Sequence, residues 1–187
     1  MKRCPWCENN ELYIKYHDEE WGVPIHDDNK HLEFLILEGA QAGLSWLTVL
    51  KKRKNYQKAY DHFDPYKIAN YSEKKTNQLM NNPGIIRNKA KIKASINNAQ
   101  KFLEIQKEFG SFDKYIWQFV HNKTIINSWK NDSELPSKTE LSDKISNDLK
   151  KRGFKFVGST TMYAHMQATG IVNDHIIDCF RYNQLLY

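Results

Sequence analysis

Glu38 is a carboxylate set inside an apolar run. Leu32, Phe34, Leu35, Ile36 and Leu37 precede it, and Gly39, Gly43 and Trp46 follow. An acid buried there without a partner costs several kcal/mol, so the fold must give it a hydrogen bond, a proton or a function. One reading is a rim glutamate bonded to backbone; the other is a carboxylate that meets a ligand. Five aromatic residues, Trp6, Tyr13, Tyr16, Trp21 and Trp46, fall within the first 46 positions. They suit a core, or a pocket for a flat, electron-poor ring beside that acid.

A second constellation is Cys4, Cys7, His17, His175 and Cys179. On a helix, His175 and Cys179 would share a face, and Cys4 with His17 could supply the other pair. Two Cys and two His make a closed tetrahedral zinc site that clips the chain ends together and leaves no open position for catalysis. The alternative is a set of buried thiols and hydrogen-bonded histidines. Cys4-Pro-Trp-Cys7 has the spacing of a redox dithiol, but only three residues precede it and no sheet follows.

A third is Pro83-Gly-Ile-Ile-Arg-Asn-Lys-Ala90 between two expected helices. Such a turn presents free backbone N–H groups at the positive end of a helix dipole, where a phosphate fits. Arg87, Lys89, Lys91 and Lys93 add positive charge. The string resembles the helix-hairpin-helix motif of DNA repair proteins, except that Ile86 stands where a second glycine is expected; a β-branched residue resists positive φ. The alternative is an ordinary corner between helices.

The elements that must hold these groups are helical throughout. Asn10 caps a helix through His17, and Asp27 or Asp28 opens one that runs to Gly39 or Gly43. Trp46 to Tyr60 forms a third. Asp64-Pro65, Ser72, Arg87 and Ser111 or Asp113 start further helices, and Ser137 to Glu140 fits a capping box for another. Gly158 to Thr169 is the last clear helix. Thr124–Ile126 and Phe154–Phe156 are too short to build a sheet. The expected class is all-α, with residues 121–136 as a loop.

The 187 residues suit one domain with a real core. Lysine and arginine exceed aspartate and glutamate, 28 against 22, and the pI is about 9.1, which suits a polyanionic partner. No apolar run reaches the length of a membrane span and no signal-peptide core is present, so a cytoplasmic protein is expected.

Together the strings resemble the 3-methyladenine DNA glycosylase I family. The carriers are Tyr16-His-Asp-Glu-Glu-Trp-Gly-Val-Pro24, Leu37-Glu38, Gln41-Ala-Gly-Leu-Ser-Trp46, Thr48-Val-Leu-Lys-Lys-Arg53, Gly84-Ile-Ile-Arg87, Lys150 to Gly158 and Val172-Asn-Asp-His175. Cys7 and residues 121–136 depart from the pattern. The resemblance implies a helix-hairpin-helix DNA glycosylase fold over 1–187, with the hairpin at about 72–108. A zinc site would join segments 1–22 and 170–187.

It implies excision of N3-methylated adenine from alkylated double-stranded DNA. One structural Zn2+ is implied on Cys4, His17, His175 and Cys179. Glu38, Tyr16 and Trp46 would recognise the base, with Tyr13, Trp21 and Trp6 as walls. Leu44 would be the wedge and Gln41 its neighbour, with Gly43 a point of close backbone approach. Gly84, Ile85, Arg87 and Lys89 would meet the phosphates. Lys91 to Glu104 contains no aspartate, so no strand cleavage is expected, and nothing demands more than a monomer. The competing readings are a non-enzymatic hairpin DNA-binding module with structural zinc, and a zinc enzyme, which needs an open coordination position.

Overall fold

The computed structural model describes residues 1–186; Tyr187, the last residue of the expected clipped segment, lies outside them. Among the described residues ten α-helices account for nearly all the regular structure. They are α1 (Glu11–Glu19), α2 (Asp28–Gln41), α3 (Trp46–Ala59), α4 (Pro65–Ala69), α5 (Glu73–Met80), α6 (Lys89–Phe109), α7 (Phe112–Trp117), α8 (Glu140–Lys151), α9 (Ser159–Ala168) and α10 (Phe180–Gln184). The expected all-α class is correct.

Local chemistry sets most of the boundaries. The side chains of Asn10, Asp27, Asp64, Ser72 and Ser111 each accept a backbone N–H in the first turn of the helix that follows. Asp28 acts elsewhere: its carboxylate accepts the N–H groups of Phe112 and Asp113 and so holds the start of α7 against α2. The capping box lies two residues beyond the expected Ser137, between Thr139 and Ser142, because Thr139 has the extended backbone a cap needs. Asn88, not Arg87, caps α6.

Two short segments pair as a parallel bridge, β1 (Ile125–Ile126) against β2 (Val172–Asn173). Phe154–Phe156 forms no strand. Phe156 adopts φ 56° in a turn whose Lys155 N–H and C=O are both held by the Asn98 side chain.

The fold is organised on α2. Every residue from His31 to Ala40 is buried, and α3, α6, α7 and α9 all pack on it. A helix covered on all sides has no wet face, so each polar group it carries needs a partner within the protein. Glu38 is one such group.

Candidate active site

Helices α1, α2, α3 and α9 enclose a cavity of about 250 Å³ lined by Trp6, Tyr13, Tyr16, Trp21, Glu38, Gln41, Trp46 and Leu135. All five aromatic residues singled out in the sequence reach it. Tyr16 meets Trp46 with ring centroids 5.7 Å apart, and Trp6 meets Tyr13 and Trp21 edge-on at 5.6 and 5.1 Å. Trp46 stacks on Phe34, and the Arg53 guanidinium lies over the Phe34 ring, 5.3 Å from its centroid. That cation is fixed by Glu20 and Glu33 and stays out of the cavity. Tyr13 accepts the Leu47 N–H on its hydroxyl, tying the wall to the start of α3.

Glu38 is 4% exposed. Its Oε2 is 3.0 Å from Nδ1 of His165, while Oε1 is buried without a partner. The indole Nε1 of Trp46 is likewise buried and unpartnered. Burial pushes the Glu38 carboxyl well above the usual carboxylate range, which favours its protonated form. Burial, followed by the neighbouring Glu38, pushes the Tyr16 hydroxyl up as well. Two unsatisfied polar atoms in an aromatic-walled cavity fit a flat ligand that carries its own donors and acceptors.

The segment after α2 forms the rim. Gln41, Gly43 and Leu44 line a second depression that also reaches Glu38, and Leu44 is 41% exposed. Gly43 has φ +78° and nothing within 4 Å of the position a Cβ would take. In the described structure it is required for its left-handed turn, not for a close approach to protein. Lys91 reaches across from α6 and donates to the carbonyls of Ala40 and Ala42, so its ammonium caps α2 and is not free for a phosphate.

In the 83–90 turn the Gly84 N–H goes to the side chain of Asn82, and the Ile86 N–H to the Tyr56 hydroxyl. Among the described residues the N–H groups of Arg87, Lys89 and Ala90 have no such partner. The open donors therefore lie at the start of α6, beside the exposed Arg87 and Lys89. A Cβ at Gly84 would sit 3.0 Å from the side chains of Asn55 and Asn82, so any larger residue there must push them aside. Ile86 has no positive φ and tolerates its β-branch. Ile85 is buried in the core.

Cys4, His17, His175 and Cys179 bring one ligand atom each to within 4.8 Å of one another, all buried. Cys179 Sγ lies 3.4 Å from Nε2 of His17 and 3.5 Å from Nδ1 of His175, and Cys4 Sγ lies 3.6 Å from the latter. A tetrahedral zinc with ordinary bond lengths places sulfur and nitrogen ligands about 3.5 Å apart, so the donors fit such an ion. The second nitrogen of each imidazole is held, His17 by Asp18 at 2.8 Å and His175 by the Trp21 carbonyl at 3.0 Å. Cys7 stands apart and donates its thiol to the Cys4 carbonyl. His175 and Cys179 share no helix: α10 begins at Phe180, and buried Asp174 is held by Asn127, Trp129, Tyr163 and Gln167.

The methyladenine glycosylase family model matches residues 6–182, which include Glu38, the aromatic wall and three of the four Cys/His positions. The chain belongs to this family. It is 47% identical over 182 residues to DNA-3-methyladenine glycosylase 1 of Escherichia coli strain K12, with 97% of each chain covered. It is 48% identical to DNA-3-methyladenine glycosylase of Haemophilus influenzae, over 95% of this chain and 96% of that protein. A solved structure of 3-methyladenine DNA glycosylase I from Staphylococcus aureus superposes with a TM-score of 0.93 at 35% identity, covering 96% of both chains.

Several residues at the glycosylase-family site escape a reading of the sequence. His31 lies on α2 seven residues before Glu38, but His165, which joins the two, is 127 positions from Glu38 and reaches it only through the fold. Residues 121–136 are not an idle loop: Leu135 lines the cavity, and Asp132 accepts the Trp6 N–H.

Proposed function

We propose that this protein is a DNA glycosylase that turns 3-methyladenine out of alkylated duplex DNA and hydrolyses its N-glycosidic bond without cutting the strand. The observation that carries this is the pair of unpartnered atoms, Glu38 Oε1 and Trp46 Nε1, in the aromatic cavity. A phosphate-binding module needs neither.

Chemistry on a glycosidic bond requires the nucleotide to leave the stack. Exposed Leu44 on its glycine-supported turn is the wedge for the vacated gap, with Gln41 beside it. The start of α6, with Arg87 and Lys89, grips the phosphates as a helix-hairpin-helix, its turn running through Gly84 and Ile85. In the cavity the cationic base stacks against Trp46 and Tyr16, and Glu38 accepts from its edge. The bond from the base to the sugar C1′ breaks with its electron pair passing to the base, which departs neutral; water adds at C1′ and loses a proton. Cys4, His17, His175 and Cys179 hold one structural zinc, whose four protein ligands leave no place for substrate. The whole chain acts as a single catalytic domain and a monomer. Among the described residues no helix is long and apolar enough to cross a membrane.

Incubation with methylated duplex DNA, followed by chromatography of the released bases, tests the reading. It stands if 3-methyladenine is released and Glu38→Gln loses that release while still binding DNA. Release no greater than that of a heat-inactivated control leaves only a binding module. Nicking without added alkali contradicts the hydrolytic assignment.

A further inference from the structure

Glu38 is joined to the surface by a route that avoids the cavity. Beyond the 3.0 Å contact with Nδ1 of His165, Nε2 of His165 lies 3.4 Å from Nδ1 of His31. Nε2 of His31 lies 3.6 Å from Oδ1 of Asp113, and that oxygen is 2.9 Å from Nδ1 of His26. His165 and His31 are buried at 1% and 0% exposure, whereas the His26 side chain is 61% exposed. Two histidines in an apolar core, each nitrogen turned toward another titratable group, exceed what packing needs. The first two links have hydrogen-bond geometry, with the Glu38 O–H donating to His165 and the His165 Nε2–H to His31; the His31 Nε2–H has no partner within hydrogen-bond distance and faces Asp113 Oδ1 across 3.6 Å.

We propose that the His165–His31–Asp113 chain carries the proton of Glu38 out of the site when a flipped base fills the cavity, with His165 as the positioning residue for Glu38. This rests on the reading of Glu38 as the carboxylate that meets the base. A cationic base favours the ionised carboxylate, yet the same base stands between Glu38 and bulk water. The proton must leave on the protein side. The Glu38 O–H bond breaks as an N–H bond forms at Nδ1 of His165. The Nε2 proton of His165 passes to Nδ1 of His31, and the Nε2 proton of His31 passes to Asp113 as the 3.6 Å gap between them closes to hydrogen-bond length. One proton has then moved, both rings have exchanged tautomers, and neither is left charged. Asp113, with a 22% exposed side chain, releases the proton to His26 or water, and departure of the base reverses the transfer.

The surroundings suit a neutral conduit. Tyr16 on α1 faces Glu38, while Asp28 on α2 and Asp113 on α7 face His31. Among the described residues no lysine or arginine pairs with Glu38, His165 or His31. Burial holds both imidazoles below the usual histidine range, His165 at about 3.

Single-turnover excision of 3-methyladenine, followed from about pH 6 to about pH 9, tests the chain in His31→Phe, Asp113→Asn, His165→Gln and His26→Ala. The first three slow excision by about tenfold at the acid end, and the deficit closes as pH rises and Glu38 ionises unaided. His165→Gln keeps a side chain that can hydrogen-bond Glu38 but cannot relay its proton, so its deficit separates conduction from contact. His26→Ala stays within about twofold, because Asp113 already reaches water. Asp113→Asn, at the part-exposed end, serves if His31→Phe fails to fold. Unchanged rates in His31→Phe and Asp113→Asn, or an equal deficit at every pH, overturn the chain even where Glu38→Gln is inactive. Full activity in Glu38→Gln removes the underlying reading, and the chain with it.

Discussion

Two buried polar constellations share a wall in this protein, and they are finished differently. In the Cys4–His17–His175–Cys179 cluster each imidazole has its second nitrogen held, by Asp18 and by the Trp21 carbonyl. At Glu38 one carboxyl oxygen has His165 and the other has nothing, and the Trp46 indole beside it is equally bare. Trp21 touches both regions: it lines the cavity, and its ring lies 4.6 Å from that of His175. A completed shell around a gap the size of an ion marks a structural centre, and an incomplete one beside a larger gap marks a binding site. The two should therefore respond oppositely to mutation.

Breaking the completed shell has the largest effect. With the proposed zinc in place, Cys179→Ser, or extraction with a strong chelator, leaves buried donors without their ion and frees segment 170–186 from the N-terminus. Loss of several kcal/mol follows, lowering the melting temperature by roughly 10 °C or more in thermal denaturation followed by circular dichroism. Identical melts with and without chelator would show that the four groups hold one another unaided.

Removing the unfinished group does the reverse. Glu38→Gln lowers single-turnover excision by about 10²-fold or more, yet stabilises the fold at neutral and alkaline pH. The sign follows from burial. The folded carboxyl titrates above the unfolded one, so over that window the native protein holds a proton the unfolded chain lacks, and stability falls as pH rises. The variant escapes that loss. Its melting temperature should exceed that of the parent by a few degrees near pH 8 and match it near pH 4. A lower melting temperature at both would make Glu38 a structural residue.

The contrast was only half visible in the sequence. The acid at 38, the aromatic residues, the four metal donors and the capped helices are all local signals, readable from residue type and spacing. What completes each site comes from far along the chain. His165 is brought to Glu38 by α9 packing on α2, and the turn carrying His175 and Cys179 is set by donors to Asp174 from Asn127 and Trp129. No periodicity predicts such contacts. The 83–90 turn shows the converse: its motif is legible in the sequence, but which N–H groups the protein itself takes up, those of Gly84 and Ile86, depends on Asn82 and Tyr56.

A smaller effect probes how the rim is coupled to the hairpin. Lys91 makes bonds of 2.9 and 2.7 Å to the Ala40 and Ala42 carbonyls, the last groups before the Gly43 turn. Lys91→Met keeps the aliphatic stem and removes both bonds. It should cost about 1 kcal/mol of stability and slow excision about threefold to tenfold by loosening Leu44, with little change in release from substrates where the base is already unpaired. An equal slowing on paired and unpaired substrates would assign Lys91 to the cavity instead of the wedge.

The smallest expected effect sharpens the account of the turn. Ile86 sits where a glycine was anticipated, and its N–H donates to the Tyr56 hydroxyl at 3.0 Å. The tyrosine thus takes up this donor and fixes the turn, so that the open N–H groups at the positive end of α6 are those of Arg87, Lys89 and Ala90. Tyr56→Phe leaves the Ile86 N–H unpaired in a half-buried position, at a cost of about 1 kcal/mol. Undamaged duplex should bind about twofold to fivefold more weakly, while the salt dependence keeps its slope because no cation at the interface is lost. A shallower slope would mean that Tyr56 positions Arg87 or Lys89 as well as the backbone, and the turn would then be read through its charges instead of its amides.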